Sequence, residues 1–202
     1  MIASINKLTV DFYQRENVLD ISRELLGKML VTCMPDPNTK ADIVTSGIIT
    51  ETEAYCAPED KASHAYNNRR TKRTETMFAA GGVSYVYLCY GIHSLFNVVT
   101  GPQNMPHAIL IRAIKPILGI EHMLTRRKQS LIKPTLSAGP GVLCAALGIN
   151  TVHDNIDLTG NHIWIEDHRL NIAADDIVTT QRIGISYAKE YAAMPWRFLL
   201  KR

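Results

Sequence analysis

DIVTSGIITETEAY, residues 42–55, is rich in β-branched side chains and predicts one long strand with a bulge at Gly47. Other strand patterns follow along the chain, and between most of them there is no helix of the length that a parallel crossover needs. This arrangement favours an α+β fold with a mixed, largely antiparallel sheet and helices around it.

The remaining elements are predicted from hydrophobic patterns and from turn and capping residues. A first helix should cover about 18–26, capped by Asn17 and followed by Gly27, and further helices should cover 118–129 and 141–148. Turns are expected at residues 35–38 and at 101–102. Strands are predicted at 29–34, 84–90, 95–100, 108–114, 163–166 and 196–200.

The composition is that of a globular protein: of 202 residues, 46% are hydrophobic and 20% are charged, which excludes a mainly disordered chain. No linker divides the sequence, so we predict a single domain over residues 1–202. No apolar run approaches the roughly 20 residues of a membrane span, and the first ten residues lack a signal-peptide pattern. We therefore expect an intracellular protein without membrane contact. The net charge of +3 allows nucleic acid as a partner but does not argue for it alone.

The cysteines and histidines do not have the spacing of a metal site. Cys33, Cys56, Cys89 and Cys144 lie far apart among apolar neighbours, and the sequence contains no Cys-x-x-Cys pair. We expect the thiols to be small buried hydrophobic groups. The sequence also lacks a Walker loop, a dinucleotide-binding glycine motif and a nucleophile elbow.

Two carboxylates stand on the long predicted strand. Period-two alternation places Glu51, Glu53 and Tyr55 on one face, with about 7 Å between alternate residues. This face is either the solvent side of an edge strand or a cleft in which a carboxylate acts as general base. Arg112 lies within the apolar strand AILIRAI and needs an anionic partner, for which Glu51 and Glu53 are the candidates.

A basic loop follows the long strand. Arg69, Arg70, Lys72 and Arg73 occur within five residues, and His64 precedes them among small side chains. The loop is either simply solvated or an arm that contacts phosphates.

Tyrosines are concentrated in the next strand. Tyr85 and Tyr87 share a face, and Tyr90 precedes Gly91 at the strand end. These rings are either core partners or stacking surfaces for bases, with about 1–3 kcal/mol per stacked base.

The combination of these motifs resembles the alkyladenine family of 3-methyladenine DNA glycosylases. The most demanding part is ETEAY followed by Pro-Glu-Asp and a histidine, together with YVY-x-x-YG and a downstream asparagine. The resemblance runs from about residue 11 to 201. Its shared blocks are LLGKMLV (25–31), GIITETEAYCAPEDKASHA (47–65), SYVYLCYGIHSLFNVV (84–99), AILIRAIKP (108–116), SAGPGVLCAALGI (137–149), QRIGISYA and PWRFLLK.

The resemblance implies a monofunctional base-excision enzyme with one domain built around a curved antiparallel sheet. Such an enzyme flips a damaged purine (3-methyladenine, 7-methylguanine, hypoxanthine or ethenoadenine) out of double-stranded DNA and hydrolyses its N-glycosidic bond. It uses no lysine Schiff base, metal or cofactor. A monomer in the bacterial cytoplasm or in a nucleus is the corresponding expectation.

The resemblance also implies roles for individual residues in catalysis and backbone binding. Glu53 would activate the water, and Arg112 would help to hold that water and the carboxylate. Arg73 is the best candidate among the basic-loop residues for a contact with the DNA backbone.

The same resemblance assigns the base pocket. Tyr55, His64 and Tyr87 would enclose the flipped base. Tyr90 would fill the gap that the base leaves in the stack, and Asn97 would crowd the exocyclic amine of normal guanine.

Two other functional classes remain open at this point. A non-catalytic nucleic-acid-binding protein on the same fold would not require Glu53 together with Arg112. A hydrolase of free nucleosides would need neither the basic loop nor a wedge at Tyr90.

Overall fold

An eight-stranded sheet, antiparallel in every pairing of its named strands, forms the frame of the protein in a computed structural model that describes residues 6–36 and 39–201. Its main path runs β3-β4-β5-β2-β1-β6, and β8 pairs with both β2 and β7. The strands are β1 (Met29–Pro35), β2 (Asp42–Cys56), β3 (Ser84–Cys89), β4 (His93–Thr100), β5 (His107–Leu118), β6 (Ile163–Glu166), β7 (Ile177–Thr180) and β8 (Arg197–Leu200).

The α-helices are short and lie between the strands in sequence. They are α1 (Val10–Tyr13), α2 (Val18–Glu24), α3 (Ile120–Arg126) and α4 (Pro140–Leu147). The 3₁₀ segments are Tyr66–Asn68, Glu75–Phe78, Pro134–Leu136, Thr151–His153, Ala174–Asp176 and Ser186–Ala193. Helix α2 packs against β2, and α4 packs against β4 and β5, so the apolar side chains of sheet and helices form a main core, beside which two smaller hydrophobic clusters lie. The predicted α+β class is confirmed.

Strand β2 organises the sheet because it has different partners along its length. Residues 42–48 pair with β1, and residues 51–53 pair with β8, while β5 covers the opposite edge. The predicted bulge is present as a register shift between Ser46 and Gly47. A Cβ at Gly47 would lie 2.7 Å from the side chain of Ile114, so β5 leaves no room for a larger residue. Further shifts on both sides of Glu51 were not predicted.

Helix boundaries differ from the predicted ones by a few residues. The Asn17 side chain caps α2 as predicted, since its Oδ1 accepts from the amides of Leu19 and Asp20, but the helix ends at Glu24. Helix α3 occupies only 120–126, because residues 117–118 continue β5 and Gly119 turns the chain with φ 68°. Helix α1 and strand β7 were not predicted.

The predicted turn at 35–38 is only partly visible. Pro35 belongs to β1, and Asp36 accepts from Lys40 through its carbonyl and from the Thr39 amide through its carboxylate. Pro37 and Asn38 lie outside the described residues. Within the described ranges, no helix combines the length and hydrophobicity that crossing a bilayer would require.

Candidate active site

One row of residues crosses five neighbouring strands and positions the site. Partners in the register lie directly opposite each other, so their side chains share one face of the sheet. From β3 to β8 the row is Tyr85, Asn97, Leu110, Glu53 and Arg197. The predicted carboxylate, asparagine and tyrosine surface are therefore brought together by strand pairing alone.

Glu53 is fully buried, and three donors converge on its carboxylate. Its Oε1 accepts from the Ile183 amide at 2.8 Å. Its Oε2 accepts from the Tyr55 hydroxyl at 3.0 Å and lies 3.3 Å from Nη1 of Arg112. The carboxylate is thus surrounded by one backbone donor, one hydroxyl donor and one guanidinium. A carboxylate offers about four acceptor sites, so one remains for a water molecule.

Arg112 bridges the two carboxylates that the sequence offered as alternatives. Its Nε donates to Oε1 of Glu51 at 2.6 Å, while Nη1 faces Glu53. The same Glu51 oxygen accepts from Nε of Arg197 at 2.7 Å. Burial alone would lower the pKa of Arg112, but the charge of Glu53 and the hydrogen bond to Glu51 raise it. Arg112 is thus a fixed cation beside Glu53.

A cavity of about 670 Å³ opens next to this group. Tyr55, Arg112 and Ile183 line it and also contact Glu53, which itself is not part of the lining. The cavity is lined by every other residue predicted to be catalytic or base-binding and by the predicted wedge, namely Tyr55, His64, Tyr87, Asn97, Arg112 and Tyr90. The carboxylate therefore stands directly behind the cavity wall.

Three aromatic rings form one side of the cavity. Tyr85 and Tyr87 stack with centroids 5.3 Å apart, and His64 meets Tyr87 edge-on at 4.6 Å. His64 Nδ1 lies 2.9 Å from the Tyr85 hydroxyl. Burial, followed by the charges of Arg73 and Arg69, lowers the pKa of His64 to about 4, so the ring is neutral at pH 7.

Tyr55 connects the aromatic pocket to the carboxylate. Its ring lines the cavity while its hydroxyl donates to Glu53. Burial and the charge of Glu53 raise the pKa of this hydroxyl well above its ordinary value, so it remains protonated and able to donate.

Tyr90 is at the tip of the hairpin between β3 and β4 and is 89% exposed. Tyr90 and Gly91 both have positive φ, 52° and 73°, and the Ile92 amide donates to the Cys89 carbonyl. A non-glycine residue in this conformation costs about 1–3 kcal/mol and is concentrated at functional sites. Ile92 is also strongly exposed, which gives the tip a second apolar side chain that sequence reasoning missed.

Asn97 is 3% exposed and lies in the cavity wall on β4. Its Nδ2 donates to the Tyr85 carbonyl at 3.0 Å, which fixes the orientation of the amide. The side chain of Asn97 is therefore hydrogen-bonded within the sheet and also presents a rigid group to the cavity.

The basic loop divides into cations with different surroundings, although all four are exposed. Arg73 lines the cavity, lies 4.9 Å from the Tyr87 ring centroid and is 3.5 Å from Nε2 of His64. Arg69 joins Arg73 in the wall of a neighbouring cavity of about 320 Å³. Arg70 instead forms a two-armed ion pair with Glu75.

Sequence reasoning missed the contribution of the segment after β7. The Ile183 amide reaches Glu53 from 130 positions away, and the preceding Arg182 forms a buried ion pair with Asp60. Tyr187, 65% exposed, lines both cavities. The only indication in the sequence was that the block QRIGISYA is one of the blocks shared with the glycosylase family.

Among residues 6–36 and 39–201, no group of three or more histidine, cysteine or acidic side chains is arranged to hold a metal ion.

Comparison of the whole chain with known proteins shows which family it is similar to. Residues 11–202 match the methylpurine-DNA glycosylase family. A protein of Chlamydia felis, named as a candidate 3-methyladenine DNA glycosylase, is 48% identical over 96% of this chain and 95% of its own length. Similarly named proteins of Alkaliphilus oremlandii and Bacillus cereus are 42% and 41% identical and cover 96% and 94% of the chain, over 96% and 93% of their own lengths.

Proposed function

The chain belongs to the methylpurine-DNA glycosylase family, and on that premise we propose that it is a base-excision-repair glycosylase for damaged purines. The protein would flip the damaged nucleotide out of duplex DNA, hydrolyse its N-glycosidic bond and leave an abasic site. The proposed substrates are 3-methyladenine, 7-methylguanine, hypoxanthine and ethenoadenine.

The observation that carries this proposal is the buried Glu53 carboxylate behind a cavity walled by aromatic rings. One acceptor site on the carboxylate is unused by its three donors, so a single water can be oriented there. Glu53 takes a proton as the water oxygen bonds to C1′, and the electrons of the C1′–N bond leave with the base. The carboxylate also stabilises positive charge on the sugar before it is protonated.

Arg112 provides a fixed positive charge beside the carboxylate during this step. With Glu51 on one side and Glu53 on the other, the guanidinium cannot swing into the cavity without breaking two contacts. Its positive charge therefore stays beside the carboxylate that is to accept the water proton.

The cavity fits a flipped purine. Its volume of about 670 Å³ lies within the roughly 300–1,000 Å³ of small-molecule sites. Tyr55 and Tyr87 offer faces for stacking, worth about 1–3 kcal/mol per base. Tyrosine faces also attract the positive charge that alkylation at a ring nitrogen places on a purine. Asn97, rigidly held, would clash with the exocyclic amine of guanine.

Features at the rim of the cavity support duplex DNA as the substrate. Tyr90 projects at the cavity rim, where its ring can replace the flipped base in the stack. Arg73 and Arg69 lie beside the same opening, where they can contact phosphates. We propose that the protein acts as a monomer, since this chain alone supplies the carboxylate, the pocket and the wedge.

An excision assay tests the proposal against both alternatives. A duplex with a single hypoxanthine or ethenoadenine is incubated with the protein, treated with alkali and resolved on a gel. A glycosylase gives a break at the lesion, a non-catalytic binder gives only a mobility shift, and a nucleosidase acts only on the free nucleoside. A duplex with the normal purine is the matched control. Absence of alkali-labile sites with all four proposed lesions would refute the proposal.

A further inference from the structure

The Asp60–Arg182 ion pair lies outside the cavity but contacts the end of β2 and the loop that follows it, both of which contribute residues to the cavity wall. Both side chains are completely inaccessible to solvent. The guanidinium forms a fork with the carboxylate, with Nη1 2.5 Å from Oδ2 and Nη2 2.9 Å from Oδ1. Burying two charges is costly unless the geometry is good and other hydrogen bonds complete it. The additional contacts therefore show what this pair holds in place.

Arg182 ties its own segment to the end of strand β2. Nη1 donates to the Ala54 carbonyl at 2.9 Å, directly between Glu53 and Tyr55 in sequence. The next residue, Ile183, donates its amide to Glu53. The position of the donor on the carboxylate therefore depends on where Arg182 is held.

Arg182 also supports the Tyr55 ring from behind. Its guanidinium lies 4.7 Å from the Tyr55 centroid and 5.0 Å from that of Trp196, so it is packed against both rings. Tyr55 lines the cavity and Arg182 does not, so the contact is on the side of the ring away from the cavity. A planar guanidinium can pack against aromatic rings in a way that the compact charge of lysine cannot.

Asp60 fixes the loop that leads to His64. Its carboxylate accepts from the Cys56 amide at 3.2 Å and from the Ala62 amide at 2.9 Å, besides the two contacts with Arg182. All four acceptor sites of the carboxylate are thus used. The loop that joins Tyr55 to His64 is therefore held by hydrogen bonds to this one side chain, and both of those residues line the cavity.

We propose that Asp60 and Arg182 are the positioning pair of the active site. The pair holds Tyr55, the His64 loop and the Ile183 amide at fixed distances, so that the stacked base and the Glu53-bound water meet in a reactive geometry. This inference rests on the proposed glycosylase function. Displacement by about 1 Å can lower a rate about 100-fold when the reacting groups are otherwise intact.

Arg182→Lys and Asp60→Asn test the pair in the full-length protein. Each retains part of the polar contact but removes the fork. We expect single-turnover excision of ethenoadenine to fall at least 10-fold, while affinity for undamaged duplex stays within twofold of wild type, because Tyr90 and Arg73 are untouched. The fluorescence of ethenoadenine bound in the pocket should also change, since it reports stacking on Tyr55.

Loss of stability is the competing explanation, and a matched core variant measures it. Ile165 is fully buried on β6, at the opposite end of the sheet from β3. Ile165→Ala should lower the melting temperature while leaving excision by the folded protein unchanged. If a single variant of the pair melts below the assay temperature, Asp60→Asn combined with Arg182→Gln removes both charges together and is judged by the same criteria.

The outcomes separate this inference from the proposed function. Wild-type protein without excision activity would refute the glycosylase itself. Active wild type with folded pair variants within threefold of its rate would overturn the positioning role, as would an equal rate loss in a stability-matched Ile165→Ala. A 10-fold loss with normal binding of undamaged duplex and altered ethenoadenine fluorescence supports it.

Discussion

Replacement of Glu53 by glutamine changes the charge at the centre of the site but almost nothing of its shape. The carboxylate receives hydrogen bonds from the Ile183 amide and the Tyr55 hydroxyl and faces the Arg112 guanidinium. In Glu53→Gln one oxygen becomes an NH₂ group, which accepts no hydrogen bond. If the amide oxygen keeps the Ile183 contact, the NH₂ group faces Tyr55, whose hydroxyl can rotate to accept, and Arg112, which can only donate. One of three contacts is lost.

The expected catalytic loss follows from the role of the proton acceptor. Removing a general base lowers the rate by about 10²–10⁴-fold, and each factor of ten is about 1.36 kcal/mol, so the barrier should rise by about 2.7–5.4 kcal/mol. Lesion binding should remain close to normal, because Glu53 is not part of the cavity lining and its covering side chains are unchanged. The variant should therefore bind and flip the base without releasing it.

Single-turnover excision and lesion-duplex affinity, measured on the same preparation, test this expectation. Glu51→Gln is the matched control: it is the same substitution two residues away, next to the same Arg112. It retains an oxygen that can accept from Arg112 and Arg197, so its effect should be much smaller. Excision by Glu53→Gln within threefold of wild type, or an equal loss in Glu51→Gln, would refute the assignment of the base.

The remaining predictions address the parts around the carboxylate. Arg73→Ala should reduce the log–log salt dependence of undamaged-duplex binding by about 0.9 per lost phosphate contact, whereas Arg70→Ala should leave it nearly unchanged, because Arg70 is paired with an acid; equal slopes in both would contradict the division of the loop. Tyr90→Ala should impair excision from duplex much more than from single strands, where no stack needs repair, and an equal loss in both would remove the wedge. Asn97→Ser should raise excision of normal guanine relative to hypoxanthine; a lower melting temperature with an unchanged ratio would show that the amide only supports the sheet. Because burial and Arg73 lower the pKa of His64 to about 4, the unfolded state binds that proton first on acidification, so the free energy of unfolding should fall from about pH 6.5 towards pH 4. His64→Asn should flatten this slope in urea titrations, and an unchanged slope would contradict the assigned burial.

The parts of the site that the sequence predicted depend on local periodicity. Alternation along one strand places Glu51, Glu53 and Tyr55 on a common face, and an arginine within an apolar strand demands an acid, so Arg112 beside the carboxylates was accessible from the sequence. The existence of every strand except β7 was also predictable, because runs of β-branched residues and the turn residues that bound them are local features of the sequence.

The parts that were not predictable depend on contacts across long sequence separations. The donor at Ile183 is a backbone amide, and the sequence does not mark it because any non-proline residue offers the same donor. Asp60 and Arg182 are 122 positions apart, and each alone resembles an ordinary surface charge. The register shifts on both sides of Glu51 occur in the pairing of β2 with β5, a strand more than 50 positions away in sequence.

The basic loop shows the limit of counting charges. Four cations in five residues indicate one continuous basic surface, yet Glu75 follows so closely that it neutralises Arg70. Glu75 is the first residue of the 3₁₀ turn Glu75–Phe78, a conformation that the polar sequence before it did not indicate.

The left-handed backbone at Tyr90 has a consequence for how the enzyme would search a chromosome. The hairpin holds this ring outward before any DNA is bound, so its conformational cost is met during folding and not at each encounter. Phosphate contacts, which carry no sequence information, allow a protein to slide on undamaged duplex. In its proposed wedge role, this preformed ring would test each base pair that it meets, and the pairs that open most readily would be those already weakened by damage. We expect a long scanning range with brief pauses, each pause being an attempt to displace one purine.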